Sequence, residues 1–185
     1  MSAVESHTSE ADGSTPREEG GPGGVMPQLT HLDDAGAARM VDVSQKRDTV
    51  REARASGVIR MRQETLAAIR AQSLAKGDVL AVARTAGYLA AKRTPELIPL
   101  CHPIPISGME IEIIPDDALP GLRVEATVRC TGKTGAEMEA LTAVSLCLLT
   151  IYDMAKGVDP AMEMGYIALL SKTGGKSGSW RRAEL

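Results

Sequence analysis

Two segments in the middle of the chain alternate strictly between apolar and polar residues. In Met109–Ile114, the two isoleucines at 111 and 113 share one face and glutamates occupy the other. In Leu122–Cys130, every second residue from the first leucine onward is apolar. A period of two is typical of β-strands with one buried and one solvated face. The intervening IPDDALPG has the composition of a turn, so the pair predicts an antiparallel hairpin.

Helical spacing of apolar residues marks three other segments. Glu64–Ser73 predicts a short amphipathic helix, and Val79–Lys92, introduced by Gly77 and Asp78, predicts a longer one. Four prolines between positions 95 and 105 should end that helix and constrain the loop that follows it.

The strongest helical pattern is Thr134–Lys156. Thr134 is predicted to cap it, with Glu137 three residues on as in a capping box, and Gly157 is predicted to end it. Its apolar residues extend well beyond one face. Such a helix is buried on two sides, which indicates a subunit interface.

The remaining pattern completes an α+β layout. Ala38–Val43 is predicted to be a first strand, Val50–Met61 to be irregular or extended, and Ala161–Leu170 to be the last strand. The order of elements predicts a ferredoxin-like antiparallel sheet with helices packed on one face. Residues 1–27 are polar, acidic and Gly/Pro-rich, so we expect a disordered tail before a single domain at 28–180.

Composition narrows the classes of function. The chain has no Phe, one Trp, three Tyr and a formal net charge of −3, which argues against a nucleic-acid partner or an anionic membrane surface. No apolar stretch approaches the roughly 20 residues needed to cross a bilayer. Three cysteines without CxxC spacing indicate reduced thiols, small buried hydrophobes of a cytoplasmic protein.

The segment LIPLCHPI holds the first candidate for chemistry. His102 lies between prolines whose fixed φ angles would hold its imidazole in place, and histidine suits proton transfer or anion binding near neutral pH. A structural loop histidine, hydrogen-bonded to backbone, remains the alternative.

Two carboxylates follow in TGKTGAEMEALTA. Glu137 and Glu139 fall in the first turns of the predicted long helix, where the helix dipole alone would favour them. They are two residues apart and so diverge by about 200° around the helix. A functional role for both therefore needs a site formed between elements or between subunits.

An acidic residue near the end of the same helix is less expected. Asp153 in TIYDMAKG lies where the dipole disfavours a carboxylate, and Lys156 stands three residues on. The pair is either an ordinary i,i+3 ion pair or an acid/base pair with shifted pKa values. The unfavourable placement of the acid favours the second interpretation.

Glycine-rich, lysine-bearing segments are candidate phosphate cradles, since glycines let backbone N–H groups approach an anion. They surround Lys76, Lys133, and the pair Lys172 and Lys176. Neither GK[ST] tripeptide has the first glycine of a P-loop, so that motif is excluded. No zinc-ligand spacing occurs either, and we predict no metal site.

These motifs resemble, in order and context, those of the pyranopterin monophosphate synthases, the MoaC family. The resemblance runs from about Leu29 to Gly178 and includes LIPLCHPI, TGKTGAEMEALTA, TIYDMAKG, KGDVLAVARTAGYLAAKRT and SKTGGKSG. It implies an enzyme that converts a cyclised dihydroguanosine triphosphate into cyclic pyranopterin monophosphate with release of diphosphate. It also implies no cofactor and a homohexamer, a trimer of dimers with sites at subunit boundaries.

The resemblance also implies the site residues at matching motif positions. The catalytic residues would be Asp153, Lys76, Lys156 and His102, and the substrate-binding residues would be Leu100, Cys101, His102, Met138, Glu139, Arg51, Glu137, Lys172 and Lys176.

Two other classes of function remain possible on the sequence. A binding module for a phosphorylated pterin or nucleotide would use the same lysines without needing Asp153 or Glu139. A structural subunit without a ligand would need neither, and the unfavourable placement of Asp153 argues against it.

Overall fold

The computed structural model describes residues 37–176 and 178–183, which form one antiparallel sheet with helices on one face. The elements in chain order are β1 (Thr49–Arg60), α1 (Gln63–Arg70), α2 (Val79–Lys92), α3 (Thr94–Leu97), β2 (Ile106–Asp116), β3 (Gly121–Gly132), α4 (Glu137–Ala155), β4 (Glu163–Thr173) and β5 (Trp180–Arg181). The strand order is β2-β3-β1-β4-β5. The first four strands have the ferredoxin-like order, which confirms the predicted fold class, and β5 adds a short edge.

Strand β1 is the centre of the sheet. It pairs with β3 along its whole length, from Thr49 opposite Gly132 to Arg60 opposite Gly121, and with β4 on its other side. The prediction of an irregular or extended segment at Val50–Met61 missed this central strand. Most of its inward residues are alanine or glycine, which carry a weak strand signal in a sequence.

The predicted hairpin is confirmed. Strands β2 and β3 pair antiparallel, and their alternating apolar side chains are buried beneath the helices. The opposite face of the sheet is solvated and charged: Arg129 bonds Glu52 and Glu110, and Arg54 bonds Glu125. The helices therefore cover one face only, as the alternation predicted.

Helix α2 spans the predicted residues. The Asp78 side chain caps it by accepting a hydrogen bond from the backbone N–H of Ala81 at 2.9 Å. The predicted helix at Glu64–Ser73 is α1, which ends three residues early. Helix α2 ends before the prolines, and Pro95 is the second residue of the one-turn helix α3, where a residue without an N–H is tolerated.

The beginning of α4 differs from the prediction. The helix starts at Glu137 rather than Thr134, its N-cap is Ala136, and no side chain caps it. Thr134 belongs to the turn after β3, where its carbonyl accepts from the Cys130 thiol, so the predicted threonine cap is wrong. The glycine-flanked turn carries the chain past Thr134 before helical geometry begins. At the other end, the last helical residue is Ala155 and Lys156 is the C-cap.

Helix α4 is long and apolar enough, by length and composition alone, to cross a membrane. The expectation that no such stretch exists is therefore wrong. In the structure it is the core helix of the domain. Its side chains at Ala140, Val144, Leu148 and Ile151 are fully buried. Gly57 of β1 lets it lie close to the sheet, because an added Cβ there would come within 2.9 Å of the Val144 and Leu148 side chains.

The predicted first strand at Ala38–Val43 is also wrong. Ala38 makes an isolated bridge, and the residues after it form no strand. This segment is mostly exposed, so it has no buried face to drive pairing; its far end is held by Lys133, whose ammonium donates to the Ser44 carbonyl at 2.7 Å. The predicted tail at 1–27 lies outside the described residues.

Candidate active site

The side chains that the sequence singled out lie in two groups at opposite ends of α4. The Asp153 cluster consists of Lys76, Asp153 and Lys156. Around the helix start lie the Lys172 cluster, comprising Arg51, Glu137, Lys172 and Lys176, and a buried pair formed by Cys101 and Glu139. Glu137 and Asp153 are 16 residues apart, which at 1.5 Å per residue separates the two ends by about 24 Å.

In the Asp153 cluster, one carboxylate binds two ammonium groups. Lys156 lies 2.7 Å from Oδ1 of Asp153, and Lys76 lies 2.9 Å from Oδ2. The Lys76 ammonium also donates to the Asp153 backbone carbonyl at 2.8 Å, which neutralises part of the negative end of α4. All three side chains are about half exposed. The bond to Lys76 goes beyond the i,i+3 pair foreseen from sequence.

These contacts shift the pKa values of the Asp153 and Lys156 side chains. Hydrogen bonds from Lys156 and then Lys76 lower the pKa of Asp153 to about 2, and Asp153 in turn raises the pKa of Lys156. At neutral pH the cluster therefore holds an ionised carboxylate and a protonated Lys156. Such a set presents net positive charge and a proton donor to a ligand above it.

The loop between α1 and α2 holds Lys76 in place. Two residues in this loop have left-handed backbone, Gln72 with φ of 51° and Gly77 with φ of 86°. The Gln72 amide donates to the Asp78 carboxylate at 3.1 Å, while the other oxygen of Asp78 caps α2. This bond closes the loop around the lysine. The sequence analysis missed Gln72, because nothing in its local pattern marks a left-handed residue.

In the Lys172 cluster, β4, β1 and the start of α4 meet. Lys172 lies 2.9 Å from Glu137 Oε1. Arg51 donates from Nε to the Gly132 carbonyl at 2.9 Å and from Nη2 to the Lys133 carbonyl at 3.0 Å.

The turn after β4 lies against the same arginine. Gly174 and Gly175 both have positive φ, and a Cβ on Gly175 would overlap the Arg51 guanidinium. Lys176, on the same turn, is exposed. Backbone geometry thus requires glycine at 174 and 175, and at Gly175 the close approach of the Arg51 guanidinium requires it as well.

The pair formed by Cys101 and Glu139 is the most enclosed part of the site. Glu139 is 1% exposed, its Oε1 lies 3.8 Å from the Cys101 Sγ, and its Oε2 has no hydrogen-bond partner among the described residues. Burial raises the pKa of Glu139 to about 7. Burial and the neighbouring Glu139 raise the pKa of Cys101 to about 11.

The two helix carboxylates therefore have different surroundings. Glu137 reaches the sheet at Lys172 while Glu139 faces the proline-rich loop, as their predicted divergence requires. Leu100 and His102 lie half-buried in that loop beside Cys101, and Met138 is 37% exposed between the two glutamates. Side-chain contacts at this end of the helix thus join Glu137 to Lys172 and Glu139 to Cys101, whereas Leu100, His102 and Met138 are placed there by their neighbours in the chain.

The cysteines and possible metal ligands complete the inventory. All three cysteines are free thiols; Cys130 and Cys147 are buried and Cys101 is half-buried. Within residues 37–176 and 178–183, no three His, Cys, Asp or Glu side chains converge in a way that could hold a metal ion.

Similarity to known proteins extends over most of the chain. The family model of MoaC matches residues 40–175, which is most of the chain. Proteins called cyclic pyranopterin monophosphate synthase in Brucella ovis, Brucella melitensis and Brucella abortus are each 58% identical to it over 153 residues, covering 83% of this chain and 93% of the relative. The matched region includes every candidate residue except Lys176, which follows its last position.

Proposed function

The chain belongs to the MoaC family, and on that premise we propose how the two ends of one helix make cyclic pyranopterin monophosphate. The protein is a lyase of molybdenum cofactor biosynthesis. Its substrate is a cyclised dihydroguanosine triphosphate, and it releases diphosphate. The observation that carries the site assignment is the single carboxylate of Asp153 held by two lysines from separate parts of the chain.

The Asp153 cluster supplies the proton transfers. In the free protein the ion pair keeps the Asp153 carboxylate ionised and Lys156 protonated. A substrate that separates the pair would move both pKa values back towards neutrality, where Asp153 accepts a proton and Lys156 donates one. Lys76 keeps a second positive charge beside the same carboxylate, where it stabilises negative charge that develops on phosphate oxygens. His102 is the further proton-transfer group on the opposite half of the site.

The Lys172 cluster binds the substrate. Lys172, Lys176 and Arg51 are three cations around a glycine turn, which suits a triphosphate. Glu139 lies beside Cys101 and has one buried oxygen without a partner among the described residues, and we place Leu100, Cys101, Met138 and Glu139 around the bound substrate. Since a buried polar atom costs free energy until it is paired, this oxygen favours a bound donor group.

The complete site lies between two protomers. A separation of about 24 Å along α4 is too large for one substrate to reach both ends within one chain. We therefore place the Asp153 cluster of one protomer opposite the Lys172 cluster of another, in a homohexamer that is a trimer of dimers. Exposed apolar side chains on the helical layer support this assembly, since a second copy would cover them: Val82, Leu89, Leu97 and Leu149.

The reaction is tested with purified protein and the cyclised dihydroguanosine triphosphate, without added metal. We expect equal amounts of diphosphate and pyranopterin. Recovery of intact substrate from folded, assembled protein would instead indicate a binding module. The three free thiols agree with a cytoplasmic enzyme, so the assay is run under reducing conditions.

The shared site is tested by coexpressing two inactive variants. In randomly mixed assemblies of Asp153→Asn and Lys172→Ala chains, about a quarter of the sites would combine two intact halves, so activity should return. The matched control coexpresses Asp153→Asn with Lys156→Ala, which damage the same half and should stay inactive. Activity missing from both mixtures would place the whole site within one protomer.

A further inference from the structure

The only tryptophan of the chain stands next to Lys172. Strand β5 consists of Trp180 and Arg181, and Trp180 is the cross-strand partner of Lys172 on β4. Lys172 in turn lies opposite Ala53 of β1, which is buried beneath the helices. Directly opposed residues of antiparallel strands point to the same side of a sheet, so the indole lies on the helix side with Lys172.

This position is adjacent to the Lys172 cluster. Cβ atoms of opposed residues in such a pair lie about 4.5–5.5 Å apart, so the Trp180 and Lys172 side chains start from neighbouring positions. Lys172 is itself ion-paired with Glu137 at the start of α4. Arg51 is on the same side of the sheet, two positions along β1 from Ala53.

The indole is also more exposed than the packing of the domain requires. Trp180 is 42% exposed, in a chain whose core is aliphatic and contains no phenylalanine. Its backbone is nevertheless fixed, because β5 pairs with β4 and Arg182 donates to the Leu170 carbonyl from its N–H and to the Leu169 carbonyl from its guanidinium. A rigidly held, solvent-facing aromatic ring beside a cationic cluster is a surface prepared for a ligand rather than a part of the core.

We propose that Trp180 is a substrate-binding residue whose indole stacks on the flat, purine-derived ring of the substrate while Lys172 and Arg51 hold its phosphates. The proposal rests on the function proposed above. An indole face stacks on conjugated rings and gains nothing from a phosphate, so Trp180 would hold the ring next to the phosphates that Lys172 and Arg51 bind. Strand β5 thus has a second role besides closing the glycine turn.

The first test compares steady-state kinetics of the wild-type protein with Trp180→Leu and Trp180→Phe. Loss of one stacked ring should raise KM for the cyclised dihydroguanosine triphosphate about tenfold in Trp180→Leu, with kcat changed less than threefold. Trp180→Phe, which keeps a ring, should recover most of the affinity. Tyr166→Leu is the matched control: Tyr166 is an exposed aromatic residue of β4, 72% exposed, and it lies beside Arg60, away from Lys172.

The second test uses the indole as its own reporter. In an Asp153→Asn background, the substrate should quench the tryptophan emission, and inorganic triphosphate, which has no ring, should not. Equal quenching by both would place the indole at the phosphates and overturn the proposal, as would an unchanged KM in Trp180→Leu.

Experiment can distinguish failure of the stacking role of Trp180 from failure of the proposed function. If the wild-type protein turns over and Trp180→Leu matches it, the stacking role alone is wrong. If the wild-type protein makes no pyranopterin, the proposed function and the stacking role fall together.

Discussion

Lys76 binds both the carboxylate and the backbone carbonyl of Asp153, at 2.9 Å and 2.8 Å, across 77 residues of sequence. One ammonium group therefore joins the loop before α2 to the last turn of α4. The contact offsets the repulsion between the Asp153 charge and the negative end of its own helix. It also brings a second cation to a carboxylate that already has Lys156.

Replacing Asp153 or Lys156 should stop turnover without unfolding the protein. We expect Asp153→Asn and Lys156→Ala to lower kcat by about a hundredfold or more, because each removes a proton-transfer group. The measurement is pyranopterin formation, with circular dichroism and assembly size as controls. Asp117→Asn is the matched variant, since it breaks an equally exposed ion pair with Arg70 and should keep wild-type turnover. Near-normal rates in both cluster variants would contradict the site assignment.

The pKa of Asp153 should depend on both lysines. Its value of about 2 comes first from Lys156 and then from Lys76. In Lys156→Ala the pKa should rise but remain below its usual 3.8, because Lys76 still donates to the carboxylate. Carboxyl carbon chemical shifts recorded against pH would measure both values. An unchanged pKa would mean that Lys76 alone holds the charge.

The buried carboxyl of Glu139 should make the protein less stable as pH rises. Its pKa is about 7 in the folded protein and 4.5 ordinarily, so the folded state keeps a proton that the unfolded state releases. Stability should fall between pH 4.5 and 7, by up to roughly 3 kcal/mol, and stay level above that.

Glu139→Gln removes this titration and tests it. The difference in Tm between the variant and the wild type should be near zero below pH 4.5 and grow in favour of the variant up to pH 7. Other titrating groups are common to both proteins and cancel. A Tm difference that does not vary with pH would show that folding leaves the pKa of Glu139 unchanged.

Cys101 should react slowly despite its partial exposure. A rise in thiol pKa from 9.0 to about 11 leaves about a hundredfold less thiolate at pH 8, so alkylation by iodoacetamide should slow in proportion. Glu139→Gln should speed it, because the neighbouring carboxylate contributes to the shift. Mass spectrometry of labelled peptides separates Cys101 from the two buried cysteines. Labelling at the rate of an unfolded control would contradict the predicted pKa.

Two glycines allow a matched test of the Arg51 contact. Gly175→Ala and Gly178→Ala both place a side chain on a left-handed residue, which costs about 1 kcal/mol in each. Only at Gly175 would the new Cβ overlap the Arg51 guanidinium, whereas Gly178 has open space. We expect KM to rise about tenfold in Gly175→Ala alone, because a displaced Arg51 no longer binds phosphate. Equal effects in the two variants would show that Arg51 takes no part in binding.

The sequence predicted the elements whose apolar pattern is regular. The bounds of α2 agree because Asp78 caps it and a proline follows its end. The β2–β3 hairpin agrees because one of its faces is buried and the other is wet. The central strand β1 was missed because close packing under α4 selects alanine and glycine, residues that periodicity does not register as strand.

The contacts of the candidate site were likewise predicted only in part. The divergence of Glu137 and Glu139 followed from helix geometry, and the pairing of Asp153 with Lys156 followed from their spacing. The contact between Lys76 and Asp153 did not, because it depends on how a loop closes between two helices. The place of Trp180 depends on the register of a two-residue strand, which no local pattern specifies.

The length of α4 sets the distance and the relative orientation of the side chains at its two ends. Each added residue would rotate everything after it by about 100° and advance it by 1.5 Å, so one insertion would turn Asp153 and Lys156 away from Lys76 while the start of the helix stayed in place. Substitutions on its surface carry no such penalty. During divergence of this lineage we therefore expect the exposed side chains of α4 to vary, but not the number of residues between Glu137 and Lys156.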